Sequence, residues 1–589
     1  MKRYNIVNQK VIIYTDGTFC STPDELIKSE LFETIIQKGL NKLYHKSSPI
    51  LSTLEIDNSK KQVDRLIALF ELLAENSIST LERIMPQKDN ILENKHALHR
   101  LVEFLYNYWR EFERYVICDS ENISLDKHPY RTFNRTVENL AHLVRKVYRD
   151  ISEHILNEHP RTYRQVNSGA EFSCIASPAT QFSEDAPYMK LNKIPVIHQV
   201  FMNPPLILDT PMNKRKGQFL KVEENPLEDM QIDQKEWLCY PAKVGDLVIF
   251  IFFHQKFYEQ GFSACNLFEM ASREDLQRKP DAIYLYGVSD HSLDSRFDAP
   301  AVFYEDQQKD MFIGACPNDD EFGYFGYLKK MVLTLHNAIK IKQQKLPFHG
   351  SLVKITLQNG KKASILMIGD SGAGKSETLE AYKELGEDQI SEISIIADDM
   401  GSIEQDEKGH MRGLGTETGA FLRLDDLKPG FAFGQLDRSI IMNAHMTNAR
   451  IILPVADYST IRQGTSVDYI FYANNYEAVD DDSPVIDKIP SAEEAIKIFS
   501  EGKVMSKGTT ATSGIVNTYF ANIFGPAQYH EEHHQIAKEY FSQFYDNGVF
   551  VGQIRTQLGI HGMEQKGPEI AAKALIELIS DKDSSELQE

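Results

Sequence analysis

The chain has 589 residues, too many for one ordinary hydrophobic core, and two or three domains are expected. Its 64 Lys and Arg stand against 85 Asp and Glu, and the net charge of −21 repels phosphate backbones, which argues against general binding to nucleic acid or to an anionic membrane. An anionic substrate must therefore be met by a local basic pocket.

At the N-terminus, Met1-Lys2-Arg3-Tyr4-Asn5 is followed by no stretch that reads as a signal peptide. Cys20, Cys118, Cys174, Cys239, Cys265 and Cys316 lack zinc spacing, as reduced thiols of a cytoplasmic protein would. Three stripes then carry helical periodicity: Val63, Leu66, Ile67, Phe70, Leu73; Leu98, Leu101, Leu105, Tyr108, Phe112, Tyr115; and Val137, Leu140, Val144, Val147, Ile151, Ile155. They suit either a small bundle or helices packed separately on a larger domain. Residues 1–165 are thus expected to form a mainly helical region.

From Asn157 to Lys190 the periodicity stops and Pro, Ser, Gly and Asn accumulate, which marks a long connection. The β-like runs Ile194 to Phe201, Leu247 to Phe253 and Ala282 to Gly287 place a mixed α/β domain over 166–322. The longest apolar run, Leu247 to Phe253, is far too short to span a bilayer. Alternating strands and helices place a further domain over 323–580, followed by a polar tail, 581–589.

Within the last domain, Gly369-Asp370-Ser371-Gly372-Ala373-Gly374-Lys375-Ser376 satisfies GxxxxGK[ST]. Glycines let successive amides converge on phosphate oxygens, Lys375 neutralises charge, and the Ser376 hydroxyl can bind Mg²⁺. An apolar strand, Ala363 to Ile368, enters the loop, and a helix from Lys375 to Leu385 leaves it, closed by Gly386. The alternating segment Ser351 to Leu357 and the Asn359-Gly360 turn place an antiparallel hairpin before the loop. Ile393 to Ala397 reads as another strand, ending in Asp398-Asp399, a carboxylate pair that can hold Mg²⁺ or Mn²⁺ against nucleotide phosphates.

His349-Gly350-Ser351-Leu352-Val353, the loop with Ser376-Glu377, and Ala397-Asp398-Asp399 together resemble the HPr kinase/phosphorylase family. The rest of 320–580 is more similar to ATP-dependent phosphoenolpyruvate carboxykinase, a relative sharing the same kinase core. Tyr324-Phe325-Gly326-Tyr327-Leu328-Lys329-Lys330 resembles that family's YxGxxKK segment, which implies that Tyr324 touches substrate and Lys330 ligates a metal. The same resemblance implies His349 and Asp399 as the other ligands. Glu417 to Arg423 is similar to EGGCYAK, with Arg423 in place of the lysine that reaches the γ-phosphate. Thr447-Asn448-Ala449-Arg450 is similar to ENTR, whose arginine bridges phosphoryl group and substrate. Asp468 to Asn474, Ser506 to Gly514 and Pro526-Ala527-Gln528-Tyr529 track the family's later strand, mobile loop and helix start.

Two motifs depart from that pattern. No RSPKDK-like stretch supplies the arginine that grips oxaloacetate, for which Lys214-Arg215-Lys216 is a weak basic stand-in, and His561 to Gly567 replaces the adenine-side RISIKDT. His530-Glu531-Glu532-His533-His534 fits HExxH literally, but it lies on a strongly polar helix with no third ligand evident and is read as a hydrated face.

The resemblance implies an α/β chain with a phosphoenolpyruvate carboxykinase-like P-loop kinase core behind a mixed α/β domain and an N-terminal helical region. The leading expectation is an enzyme that turns oxaloacetate and ATP into phosphoenolpyruvate, ADP and CO₂. ATP, Mg²⁺ and Mn²⁺ serve as cofactors. Gly369 to Glu377 bind the nucleotide; Tyr324, Lys330, Lys375, Arg423 and Arg450 act on the substrate; Ser376, Lys330, His349, Asp398 and Asp399 hold metal. Two alternatives share the core: a kinase of a protein serine or small hydroxyl compound with His349 or an aspartate as base, and a nucleotide-sensing scaffold whose N-terminal helices recruit a protein partner.

Overall fold

The computed structural model describes the chain except residues 1–2, 16–19, 85–89, 120–127, 160–166, 179–184, 186, 216–218, 290–292, 294–295, 298, 371, 376, 380, 383–388, 407–408, 425–435, 508–512 and 582–589. The fold is mixed α/β with mixed sheets, and the chain divides into two compact units: Met1–Thr180 with Lys193–Asn203, and Gln181–Asn192 with Pro204–Glu589. Among the described residues no helix is long and apolar enough to cross a membrane.

In the first unit, strands Arg3–Val7, Lys10–Thr15, Glu113–Asp119, Phe172–Pro178 and Pro195–Met202 lie side by side in that order. The inner three are parallel and the outer two antiparallel to their neighbours. Parallel neighbours need long crossovers, and helices supply them. Glu30–His45, Lys60–Glu75 and Lys95–Arg110 lie between the second and third strands, and His128–Leu156 between the third and fourth. Parts of the three apolar stripes meet in one core, where Leu66, Phe70 and Leu73 pack with Leu98, Leu101, Ile151 and Ile155, while Phe112, Val137 and Leu140 pack in another with Val11, Val116 and Ile175 of the sheet.

The sequence expectation fails at the end of the second stripe. The helix stops at Arg110, and Tyr115 lies in a strand, paired with Ile12 and Phe172. Tyr115, Val116, Ile117 and Cys118 are consecutive buried residues, a run that satisfies a sheet covered on both faces as readily as a helical stripe.

The second unit contains a sheet in the order Trp237–Val244, Leu247–His254, Ala282–Val288, Met311–Pro317, Val302–Asp306 and Leu220–Val222. Helix Phe325–Lys342 packs against Met311–Pro317 on one side and the long strand Leu346–Leu357 on another. Enclosed in this way, it is buried nearly all round, and the polar side chains that it buries are paired: Lys329 with Asp399, Lys340 with Glu404, and Asn337 with the Phe524 carbonyl. A further sheet runs Thr465–Ser466, Met411–Gly415, Met400–Gln405, Leu346–Leu357, Lys362–Ile368, Tyr469–Asn474, Phe550–Arg555 and Ile486–Lys488. Leu346–Leu357 and Lys362–Ile368 form the antiparallel hairpin that the Asn359-Gly360 turn predicts, with Lys354 opposite Ser364.

The long strand changes neighbours partway along one edge. Leu346 to His349 pair with Met400–Gln405, whereas Leu352 to Leu357 pair with Ile390–Ala397. Asp398 and Asp399 are the two residues at this handover. A smaller sheet joins Gly419–Arg423, Arg450–Pro454, Ile440–Met442 and Leu206–Leu208.

Candidate functional site

Backbone pairing alone brings the phosphate loop, His349 and Asp399 together. The Gly350 N–H donates to the Asp399 carbonyl at 2.9 Å, and the Gly369 N–H donates to the His349 carbonyl at 3.2 Å. His349 is therefore flanked on one side by the strand-end aspartate and on the other by the first glycine of the loop.

Asp399 is the hub of the side chains. Its Oδ2 accepts from Lys329 Nζ at 2.8 Å, its Oδ1 lies 3.0 Å from His349 Nε2, and Lys375 Nζ stands 4.0 Å from Oδ1. Burial would raise its pKa, but the Lys329 ammonium and His349 hold it well below the usual carboxylate range. His349 Nδ1 donates to the Ala521 carbonyl, which fixes the ring and turns Nε2 toward Asp399. With both nitrogens engaged, His349 is better placed to orient a ligand than to act as a free base.

Lys329 also pairs with Glu417 at 3.0 Å, and both side chains are nearly fully buried. Burial lifts Glu417 to about 7, an effect that Lys329 only partly offsets. Lys330, one residue on, has a different environment. Its ammonium lies 4.6 Å over the Phe524 ring and shares a cleft with Arg215, Thr334, Asn517 and His530. Burial and then the neighbouring Arg215 lower Lys330 to about 8. No ion pair between Lys330 and a carboxylate occurs among the described residues, so the ammonium on Asp399 belongs to Lys329.

Arg215, weak as a sequence signal, reaches this cleft with its guanidinium 5.2 Å from the Phe219 ring centroid. It is also within electrostatic reach of Tyr327 and Tyr324. Tyr324 precedes helix Phe325–Lys342 and folds its ring over Gly326, where a Cβ would lie 2.2 Å from Cε1. That contact gives the glycine of the YxGxxKK-like segment a steric reason.

Arg423 and Arg450 are cross-strand partners at the end of the smaller sheet. Arg450 lies 5.3 Å over the Phe421 ring, which Lys329 approaches at 5.8 Å and Tyr324 at 5.9 Å. Phe421 thus gathers three cationic or phenolic groups around one ring, and neither it nor Lys329 was assigned a role from the sequence. A signal was available in both cases, since each lies inside a quoted motif.

The phosphate loop is braced from behind. Thr556 Oγ1 donates to the Ala373 carbonyl at 2.7 Å, and the Asn475 amide donates to the Gly372 carbonyl at 2.9 Å. In a trans peptide the carbonyl and the following N–H point to opposite sides, so Thr556 turns the Gly374 N–H away from itself. Gly374 has φ +98°, and an added Cβ would lie 2.7 Å from the Thr556 side chain. The buried Lys375 ammonium donates to the Gly369 carbonyl across the loop. Lys375, Glu377 to Leu379, and Ala381 to Tyr382 are helical, while Ser371, Ser376, Leu385 and Gly386 lie outside the described residues. Asp370 and Asp398 are half-buried, the latter beside the hub.

A metal ion is implied by the family resemblance. Among the described residues there is no group of three or more His, Cys, Asp or Glu side chains fit to hold one. His349 and Asp399 nevertheless supply two suitable donors 3.0 Å apart. Lys330, with its lowered pKa, gives up a proton more readily than Lys329, which its two carboxylates hold charged. A divalent cation here would be held by His349 and Asp399, with Lys330 as the further ligand that the resemblance implies.

The HExxH-like run opens helix His530–Asp546. His530 and His534 stack with ring centroids 6.1 Å apart, but His533 is fully buried, contrary to a wholly hydrated face. Its Nδ1 meets the Tyr519 hydroxyl at 2.9 Å, an internal hydrogen bond that offsets its desolvation.

No protein-family model matches the chain, and no curated protein matches it.

Proposed function

We propose that the chain is an ATP-dependent phosphotransferase of the phosphoenolpyruvate carboxykinase kind, converting oxaloacetate and ATP to phosphoenolpyruvate, ADP and CO₂. The observation that carries the reading is the convergence of the loop lysine Lys375 and the strand-end Asp399, 4.0 Å apart, beside His349. Phosphoryl transfer needs little covalent chemistry from a protein; it needs anionic oxygens screened and donor and acceptor aligned. The braced loop amides and Lys375 would receive the polyphosphate, with Arg423 and Arg450 as further cations. Arg215, beside Lys330 and Tyr324, supplies the basic group for a substrate carboxylate that the sequence motif lacks.

Loss of CO₂ leaves the bonding electron pair on an enolate, whose oxygen then takes the γ-phosphoryl group while ADP departs. A divalent cation held by His349, Asp399 and Lys330 would stabilise that enolate charge. Arg215 would hold the anion in register, and His349 would be kept in orientation by Ala521.

The test is CO₂ release and phosphoenolpyruvate formation by the full chain with oxaloacetate, ATP, Mg²⁺ and Mn²⁺. Activity should fall by at least about 100-fold in Lys375→Ala, as expected when a transition-state cation is removed. Arg215→Gln should raise the KM for oxaloacetate. ATP turnover without decarboxylation would overturn the assignment, and labelled phosphate on a protein serine or small hydroxyl compound would select the kinase instead. Nucleotide binding with no turnover would leave the sensing scaffold.

A further inference from the structure

The brace behind the phosphate loop joins more than two elements. Asn475 is fully buried, and its side-chain amide is wholly committed. Nδ2 donates to the Gly372 carbonyl at 2.9 Å and to the Met505 carbonyl at 3.0 Å, while Oδ1 accepts from the Met505 N–H at 2.8 Å. One planar group therefore spans the loop and strand Lys503–Lys507, which pairs antiparallel with Ser513–Asn517. The backbone of Asn475 is fixed as well, because the Gly559 N–H donates to its carbonyl at 2.8 Å. Gly559 is packed so closely on Met505 that a Cβ there would meet the Met505 Cβ at 2.7 Å.

We propose that Asn475 is a positioning residue that couples the phosphate loop to the paired strands Lys503–Lys507 and Ser513–Asn517, so that a polyphosphate bound by the loop also steadies strand Lys503–Lys507. The proposal rests on the nucleotide reading of the loop. Its physical basis is the lack of slack: the Gly372 peptide cannot rotate without breaking a bond to Asn475, and Asn475 cannot follow it without losing the two Met505 bonds. A ligand that holds the loop in one conformation therefore favours the conformation of the strand bonded to it, and the influence runs equally in reverse.

Hydrogen exchange of the full chain, with and without saturating Mg²⁺-ATP, reads this coupling. Exchange at 503–507 is expected to slow at least about fivefold with nucleotide, the lower end of ordinary coupling between sites. Asn475→Asp keeps the shape and the oxygen facing the Met505 N–H, but sets an acceptor against the two carbonyls. It should weaken ATP binding about tenfold or more and abolish the response at 503–507. Unchanged exchange in a wild-type chain that binds ATP would overturn the coupling while leaving the nucleotide reading intact, and this arm decides the matter even if the variant does not fold. An Asn475→Asp chain that binds ATP and responds as wild type also overturns it. A wild-type chain that binds no ATP removes both.

Discussion

Replacing Lys329 with Met probes the buried charge cluster directly. The ammonium, 3 % exposed, lies 2.8 Å from Asp399 and 3.0 Å from Glu417. Removing one partner from a buried ion pair costs about 3–5 kcal/mol. Here the loss should fall at or just below the lower end, about 2–3 kcal/mol at pH 7, because Glu417 is already poised at about 7 and can become neutral at little cost, and Asp399 keeps His349. The pH dependence follows from the direction of the Glu417 shift. A carboxyl whose folded pKa lies above its unfolded value contributes most below the unfolded pKa, and that contribution is lost as pH rises through the folded one. In wild type the loss ends just above pH 7; without Lys329, which lowers the Glu417 pKa, it continues to higher pH at up to about 1.4 kcal/mol per pH unit. Urea unfolding of wild type, Lys329→Met, Glu417→Gln and the double variant at pH 6, 7, 8 and 9 measures this. The double variant should recover most of the loss and its pH slope. Equal destabilisation by Lys329→Met at pH 6 and 9, or simple additivity of the two substitutions, would refute the reasoning.

Gly374→Ala forces a side chain onto a left-handed φ and against Thr556, so it should destabilise the loop by about 2 kcal/mol and weaken ATP binding. Gly360→Ala, also at positive φ but with open space around it, serves as the control and should cost about 1 kcal/mol with ATP affinity unchanged in calorimetry. His533, lowered to about 4 by burial, is neutral in the folded chain, so its contribution is complete above the unfolded value near 6.5 and is lost as pH falls toward 4. That loss amounts to about 3 kcal/mol, and His533→Gln should flatten the corresponding part of a pH series of denaturation midpoints.

The strongest local signals in the sequence were those in which one conformation satisfies the residues. The Asn359-Gly360 turn between alternating segments fixes a hairpin, and the stripes at Val63, Leu98 and Val137 have a helical period and form helices. Tyr115 to Cys118 failed because a continuous apolar run fits a covered strand as well as the end of a helical stripe, and only the neighbours at Ile12 and Phe172 decide. Part of the candidate site was legible in the same way: Lys375, His349 and Asp399 lie within motifs, and the structure brings them together. Which of two adjacent lysines faces Asp399 was not legible, since successive helical residues point about 100° apart and the packing of the whole helix sets its rotation. Arg215 was undervalued for a related reason, as its importance lies in the tertiary placement of an irregular segment beside Lys330.

Helix Phe325–Lys342 has a consequence for how this protein would unfold. It supplies Lys329 to the cluster, Lys330 to the neighbouring cleft and Lys340 to a second buried pairing with Asp246 and Glu404, while its buried surface lies between sheets. A beam so enclosed cannot fray on its own, because melting it would strand buried ammonium groups and open both layers at once. Loss of structure in denaturant should therefore track collapse of the second unit as a whole, with no earlier stage in which the sheets persist and the buried ammonium groups have dispersed.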